Sequence, residues 1–120
     1  MGNEHLKWFE KAREDLHAAE YNFKGGEFDV AAFLCQQAVE KALKALYLKK
    51  FSKLTKTHDL VFLANELGVP QKLVDYCKEV GPAFIYTRYP DIEEVTDMER
   101  TSGLFLAYAK EVIAWVESRI

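Results

Sequence analysis

The stretch Phe28–Lys50, FDVAAFLCQQAVEKALKALYLKK, decides the fold. It contains no Gly or Pro, and it is dominated by Ala, Leu, Lys and Gln, all good helix formers. On a helical wheel Phe28, Ala31, Cys35, Ala38, Val39, Ala42, Ala45 and Leu46 fill one broad arc. The opposite face is mixed: Asp29, Gln36, Glu40 and Lys44 share it with Phe33, Leu43 and Tyr47. A helix that is apolar on most sides is packed on most sides. The spacing therefore predicts a central helix, whose mixed face meets either another helix or a second copy of the chain.

Upstream, Leu6, Phe9, Ala12, Leu16, Ala19 and Phe23 recur at three- and four-residue spacing and predict a first helix from about Glu4 to Lys24. Asn3 is its expected N-cap, and Gly25-Gly26 closes it, because glycine accepts a left-handed backbone. With so short a link, the first two helices must fold back as a hairpin.

Downstream, a third helix is expected from Thr57-His58-Asp59, with Thr57 capping and Asp59 in the first turn. Leu60, Leu63, Ala64 and Leu67 form its stripe, and Gly68 stops it. Pro70 opens a fourth helix with Leu73, Val74, Cys77 and Val80 facing inward. Gly81-Pro82 must kink or end that helix, whose pattern resumes and fades near Tyr86 to Arg88. An acidic loop from Pro90 to about Thr96 precedes a last helix from about Asp97 to Arg119. Its inward face is expected to be Leu104, Tyr108, Val112, Trp115 and Val116, widened by Phe105, Ala109 and Ile113. No segment alternates with period two. The expected class is all-α: an up-down four-helix bundle of helices one, two, four and five, with the short third helix in the crossing.

At 120 residues, the chain is expected to form a single domain, residues 1–120, large enough to bury a core without metal or disulfide. A formal charge of −3 gives no whole-protein footprint for nucleic acid. Cys35 and Cys77 do not make a disulfide framework and are expected as buried thiols, which fits a reducing, cytoplasmic setting. No run approaches the roughly 18 apolar residues of a membrane span. The charged start MGNEHLKWFEKARED lacks a signal-peptide core, and Leu6 stands where a myristoylation signal needs Ser or Thr.

The chemistry-bearing residues are few. P-loop, dinucleotide-binding, zinc-protease and nucleophile-elbow motifs are absent. His5 and His17 are too far apart on one helix to share a metal, and no metal site or cofactor is expected. Lys49, Lys50, Lys53 and Lys56 follow Lys41 and Lys44 with no intervening acid. They either complement a helix C-terminus or form a phosphate-binding edge. His58 follows this stretch at a helix start, where the positive end of the helix favours the neutral imidazole suited to base or hydrogen-bond work. It could equally close a loop. Arg88 offers a planar fork for phosphate and Tyr89 a stacking face, although Arg88 could instead strap the acidic loop through Asp91.

FLCQQAVEKALKAL, THDL and TRYPD, in that order, resemble the HEPN domain family (higher eukaryotes and prokaryotes nucleotide-binding) from about Trp8 to Trp115. The resemblance implies a helical bundle that dimerises. It also implies a minimal nucleotidyltransferase partner encoded alongside, often as a toxin–antitoxin pair. Many members are metal-independent ribonucleases carrying an Arg followed after four to six residues by His. Arg88 matches that Arg, but Glu93, Glu94 and Val95 stand at the His positions and no His lies downstream. If the nuclease chemistry persists, His58 would be the base and Arg88 would stabilise charge. The leading expectation is a nucleotide- or RNA-phosphate-binding module, with Arg88, Tyr89, His58, Lys41 and Lys44 lining the cleft. Tyr89 is also the residue the family suggests for AMP addition. A third expectation is a purely protein–protein surface built on Phe33, Tyr47, Phe84 and Tyr86.

Overall fold

The computed structural model describes residues 2–87, 89 and 97–120. Among these, every regular element is an α-helix: α1 (Glu4–Lys24), α2 (Phe28–Phe51), α3 (Leu60–Glu66), α4 (Gln71–Val80), α5 (Ala83–Tyr86) and α6 (Met98–Glu117). The acidic stretch 90–96 and Arg88 lie outside the described residues.

The central helix is as expected. α2 touches each of the other five helices. From Ala38 to Tyr47, Lys41 alone is only partly buried. From Gln36 onward the mixed face is therefore covered by the chain itself, with Gln36, Glu40 and Lys44 inside the fold, whereas Asp29 is exposed and Phe33 partly buried. Ala12 and Ala19 of α1 and Ala31, Ala38, Ala42 and Ala45 of α2 are buried, and such small side chains let helix axes approach closely.

Side-chain pairs fix the directions. Asp15 pairs with Lys41, so α1 and α2 run antiparallel across the Gly25-Gly26 turn. Arg13–Glu117 and Glu20–Lys110 set α6 antiparallel to α1. Lys72–Glu111 and the stacked rings of Tyr76 and Tyr108, 4.1 Å apart, set α4 antiparallel to α6. This is the up-down bundle of α1, α2, α4 and α6, with α3 inserted between α2 and α4. Gly26, at φ +82°, supplies the left-handed turn that reverses the chain after α1.

Several local expectations change. α3 starts at Leu60, later than Thr57, because Asp59 is its cap: the Asp59 carboxylate accepts the Phe62 N–H at 3.0 Å. The Thr57 hydroxyl instead accepts the Asp59 N–H at 3.0 Å. Asn3 occupies the N-cap position of α1 without a side-chain cap bond. The Gly81-Pro82 step breaks the fourth helix into α4 and the single turn of α5. Leu6 and Leu104 are 46% and 43% exposed and fall off the expected stripes, whose other members are buried or packed against the core. In α1 the buried line runs through Phe9, Ala12, Asp15 and Ala19, and in α6 through Ser102, Phe105, Ala109, Val112 and Val116. Cys35 and Cys77 are both buried and unpaired. Among the described residues, no helix is long and apolar enough to cross a membrane.

Candidate functional site

The polar residues of α2 form a ladder along the helix. Gln36, Glu40 and Lys44 are spaced by four and therefore lie one above another on one face. The Gln36 amide donates to Glu40 Oε1 at 3.0 Å, and Lys44 Nζ donates to Glu40 Oε2 at 3.1 Å. Gln37 Nε2 donates to Gln36 Oε1 at 2.7 Å, and Lys41 Nζ reaches Gln37 Oε1 at 3.5 Å as well as Asp15. Among the described residues, no buried side-chain polar atom lacks a partner. A buried ionic group is tolerable only under that condition.

Glu40 is the hub. Its two oxygens lie 3.0 and 3.1 Å from Nδ1 of His58, eighteen residues away at the approach to α3. Burial alone would raise the Glu40 carboxyl, but the hydrogen bonds from His58 and Gln36 and the charge of Lys44 outweigh it and hold it below its ordinary value. An ionised carboxylate accepts only, so Nδ1 carries the proton in this contact. Nε2 is then an acceptor that can take a proton, and it donates to an anion once it carries one. The His58 side chain is 54% exposed while its Glu40 partner is 7% exposed. A buried acid thus orients an imidazole that opens to solvent, the orienting arrangement used wherever a histidine must present one nitrogen.

The second restraint on the ring is Phe84 of α5. Its centroid lies 5.0 Å from that of His58, with 32° between the planes. The break at Gly81-Pro82 turns the chain so that this residue comes over the imidazole. His58 and Phe84 border a surface hollow of about 370 Å³, with Asp59, Lys78, Pro82 and Ile85 among its other walls.

The residues expected at the site have different fates. His58 is exposed and oriented. Lys44 is drawn to it through Glu40, but its own side chain is 6% exposed and its charge is matched by that carboxylate. Lys41 turns to Asp15 of α1. Tyr89 is 49% exposed, and Arg88 lies outside the described residues. Of the basic stretch, Lys49 donates to the Arg119 and Ile120 carbonyls at 3.0 and 2.9 Å, and Lys50 to the Glu66 carbonyl at 3.4 Å. These two lysines tie helix ends together. Tyr47 is buried against Phe51 inside the chain, and half-buried Tyr86 has its hydroxyl pushed up to about 12, first by burial and then by Asp29 and Glu79. Sequence reasoning missed Glu40 as the anchor and Phe84 as the ring partner. The available signal was the Gln-x3-Glu-x3-Lys spacing in an otherwise apolar helix. Among the described residues, no group of three His, Cys, Asp or Glu side chains is placed to hold a metal ion.

Comparison with known proteins accords with this architecture. The HEPN domain model matches residues 5–119. TT1696 from Thermus thermophilus is 30% identical in sequence, with all of both chains covered and a TM-score of 0.88. ST0689, an archaeal HEPN homologue, is 26% identical over 96% of each chain, with a TM-score of 0.79. A HEPN domain protein from Thermotoga maritima, tm0613, shares the fold at 23% identity and a TM-score of 0.76, over 95% of this chain and 99% of its own. No curated protein matches the chain. The match over nearly the full length, on an up-down helical bundle of the same shape, means that this chain belongs to the HEPN domain family.

Proposed function

We propose that the chain is a cytoplasmic nucleotide- or RNA-phosphate-binding module in which the His58 imidazolium donates to a phosphate through Nε2. The observation that carries this reading is the contact of the buried Glu40 carboxylate with Nδ1, 3.0 Å away, on a side chain that is itself 54% exposed. Fixing one ring nitrogen gives the other a defined direction before any ligand arrives, which lowers the ordering cost of binding. Lys78, 60% exposed and 3.8 Å from Asp75, adds a cation at the same hollow. Arg88 is the proposed bidentate phosphate contact, and Tyr89 adds a stacking face. Lys41 and Lys44 act through the α2 ladder, setting Glu40 and thereby His58. The module works as a homodimer beside a minimal nucleotidyltransferase, in a toxin–antitoxin arrangement, and exposed Tyr89 is the residue that partner would modify with AMP.

Equilibrium titration with nucleotides and short RNAs tests the reading. Saturable binding that weakens at least tenfold in His58→Ala and in Arg88→Ala is expected. No saturation with any nucleotide or RNA would overturn it. Sedimentation at micromolar concentration tests the dimer, and mass spectrometry of the co-expressed pair tests Tyr89.

The same contact favours one second reading, a metal-independent ribonuclease. A carboxylate-oriented imidazole is the arrangement a general base requires. Nε2 would take the proton of an RNA 2′-hydroxyl as its oxygen bonds to phosphorus and the 5′-oxygen leaves, with Arg88 holding the charge on the phosphate. Cleavage that persists in a chelator and disappears in His58→Ala is the expected signature. Cleavage indifferent to that substitution would exclude this role.

A further inference from the structure

A hollow of about 260 Å³ between α1 and α2 is lined by Lys7, Trp8, Lys11 and Lys41. In a chain of net charge −3, no acid lines it. Lys7 has no ion-pair partner among the described residues. Lys11 faces Glu14 at 3.5 Å, but both side chains are more than half exposed, and such pairs hold their charges weakly. Lys41 is committed to Asp15. Two solvated ammonium groups therefore stand beside a half-buried indole. Cations around one aromatic face suit a ligand that is both planar and anionic, which describes a nucleotide unit.

The hollow is also wired to His58. Lys44 Nζ lies 6.0 Å from the centroid of the Trp8 ring and 3.1 Å from Glu40 Oε2, and Glu40 holds His58. Trp8 and His58 thus both adjoin the same buried carboxylate and ammonium pair.

We propose that Trp8, flanked by Lys7 and Lys11, is a second subsite that stacks one base of a short single-stranded RNA whose phosphate is held at His58. The inference rests on the phosphate-binding reading above and sharpens it, because it makes an oligonucleotide rather than a mononucleotide the ligand. The indole supplies the stacking face, the two lysines meet the flanking phosphates, and Lys44 keeps the indole and the His58 anchor in register.

The test uses the full chain in a Trp115→Phe background, so that Trp8 is the sole tryptophan, titrated with tetra-adenylate and with AMP. Tetra-adenylate is expected to quench Trp8 emission saturably and to bind at least tenfold more tightly than AMP. The double variant Lys7→Ala/Lys11→Ala, changed at exposed positions, is expected to lose fivefold or more of the tetranucleotide affinity, with a shallower salt dependence, and to leave AMP binding unchanged. Trp8→Leu, which keeps apolar cover over Lys44, is expected to lose the tetranucleotide preference. Tetranucleotide binding that depends on His58 but shows no quench and no loss in these variants overturns the subsite while the His58 site stands. Equal quenching by inorganic phosphate reduces the hollow to a simple anion patch and also overturns it. Absence of binding by either ligand, in calorimetry as well as fluorescence, removes both readings together.

Discussion

Replacing Lys44 by Met isolates the energetics on which the site depends. The Lys44 and Glu40 side chains are 6% and 7% exposed and meet at 3.1 Å. Met retains an unbranched stem of similar reach, so little packing volume is lost and the main effect is a carboxylate deprived of its ammonium. Removing one partner of a buried ion pair costs about 3–5 kcal/mol. Gln36 and His58 still hold the Glu40 oxygens, so the lower end, about 3 kcal/mol, is expected. For a domain of this size, each kcal/mol moves the melting midpoint by about 4 °C, giving a fall of about 12 °C. Urea denaturation of both proteins measures this. The double variant Glu40→Gln/Lys44→Met, which removes both charges, should recover most of the loss. A loss under about 1 kcal/mol would refute the claim that this pair is a buried unit on which the site depends.

Three further outcomes follow from particular contacts. Because the folded Glu40 carboxyl is held below its ordinary 4.5, it contributes stability that is present above that value and lost as pH falls through the lower folded value; Glu40→Gln should flatten the acid limb of a stability–pH curve, and an unchanged limb would contradict this. Burial pushes the Cys35 and Cys77 thiols up to about 12, so a thiol reagent near pH 8 should leave the native protein unlabelled and react fully in urea. Asp59→Ala removes the acceptor of the Phe62 N–H and should cost about 1 kcal/mol in the same urea assay, whereas Thr57→Ala should cost less.

Much of the fold was legible in the residues. The unbroken run of helix formers in Phe28–Lys50 and its wide apolar arc announced a helix packed all round, and α2 does touch every other helix. The glycine turn at 25–26 and the break at Gly81-Pro82 were punctuation with direct backbone causes. The end helices were less legible, because a stripe of apolar residues does not say which of its edges faces the core. Leu6 and Leu104 belonged to plausible stripes, yet neighbouring helices cover Asp15 and Ser102 instead.

The candidate site was legible only in pieces. His58 stood out by its place at a helix start, but its partner is eighteen residues upstream on a helix that a linear reading treats as core. Tertiary packing alone brings Glu40 to the imidazole. Lys44 illustrates the same limit. On a wheel it looks like a solvated cation available to phosphate, whereas packing of the Trp8 ring beside it and a carboxylate one turn away make it an internal counter-ion. In the proposed site such a residue acts on a ligand through His58 rather than by touching it.

The central claim is that the Glu40 carboxylate fixes one proton of His58 on Nδ1 and leaves Nε2 to take a second proton and donate it to a phosphate. Nitrogen-15 NMR of the imidazole side chains, with His5 and His17 as internal controls, measures this directly. In its neutral form His58 should show the Nδ1–H tautomer. Addition of a short RNA should shift its Nε2 resonance while leaving His5 and His17 in place, and Glu40→Gln should abolish the tautomer preference. An Nε2–H tautomer at His58, with resonances unmoved by RNA or nucleotide at saturating concentration, would contradict the account.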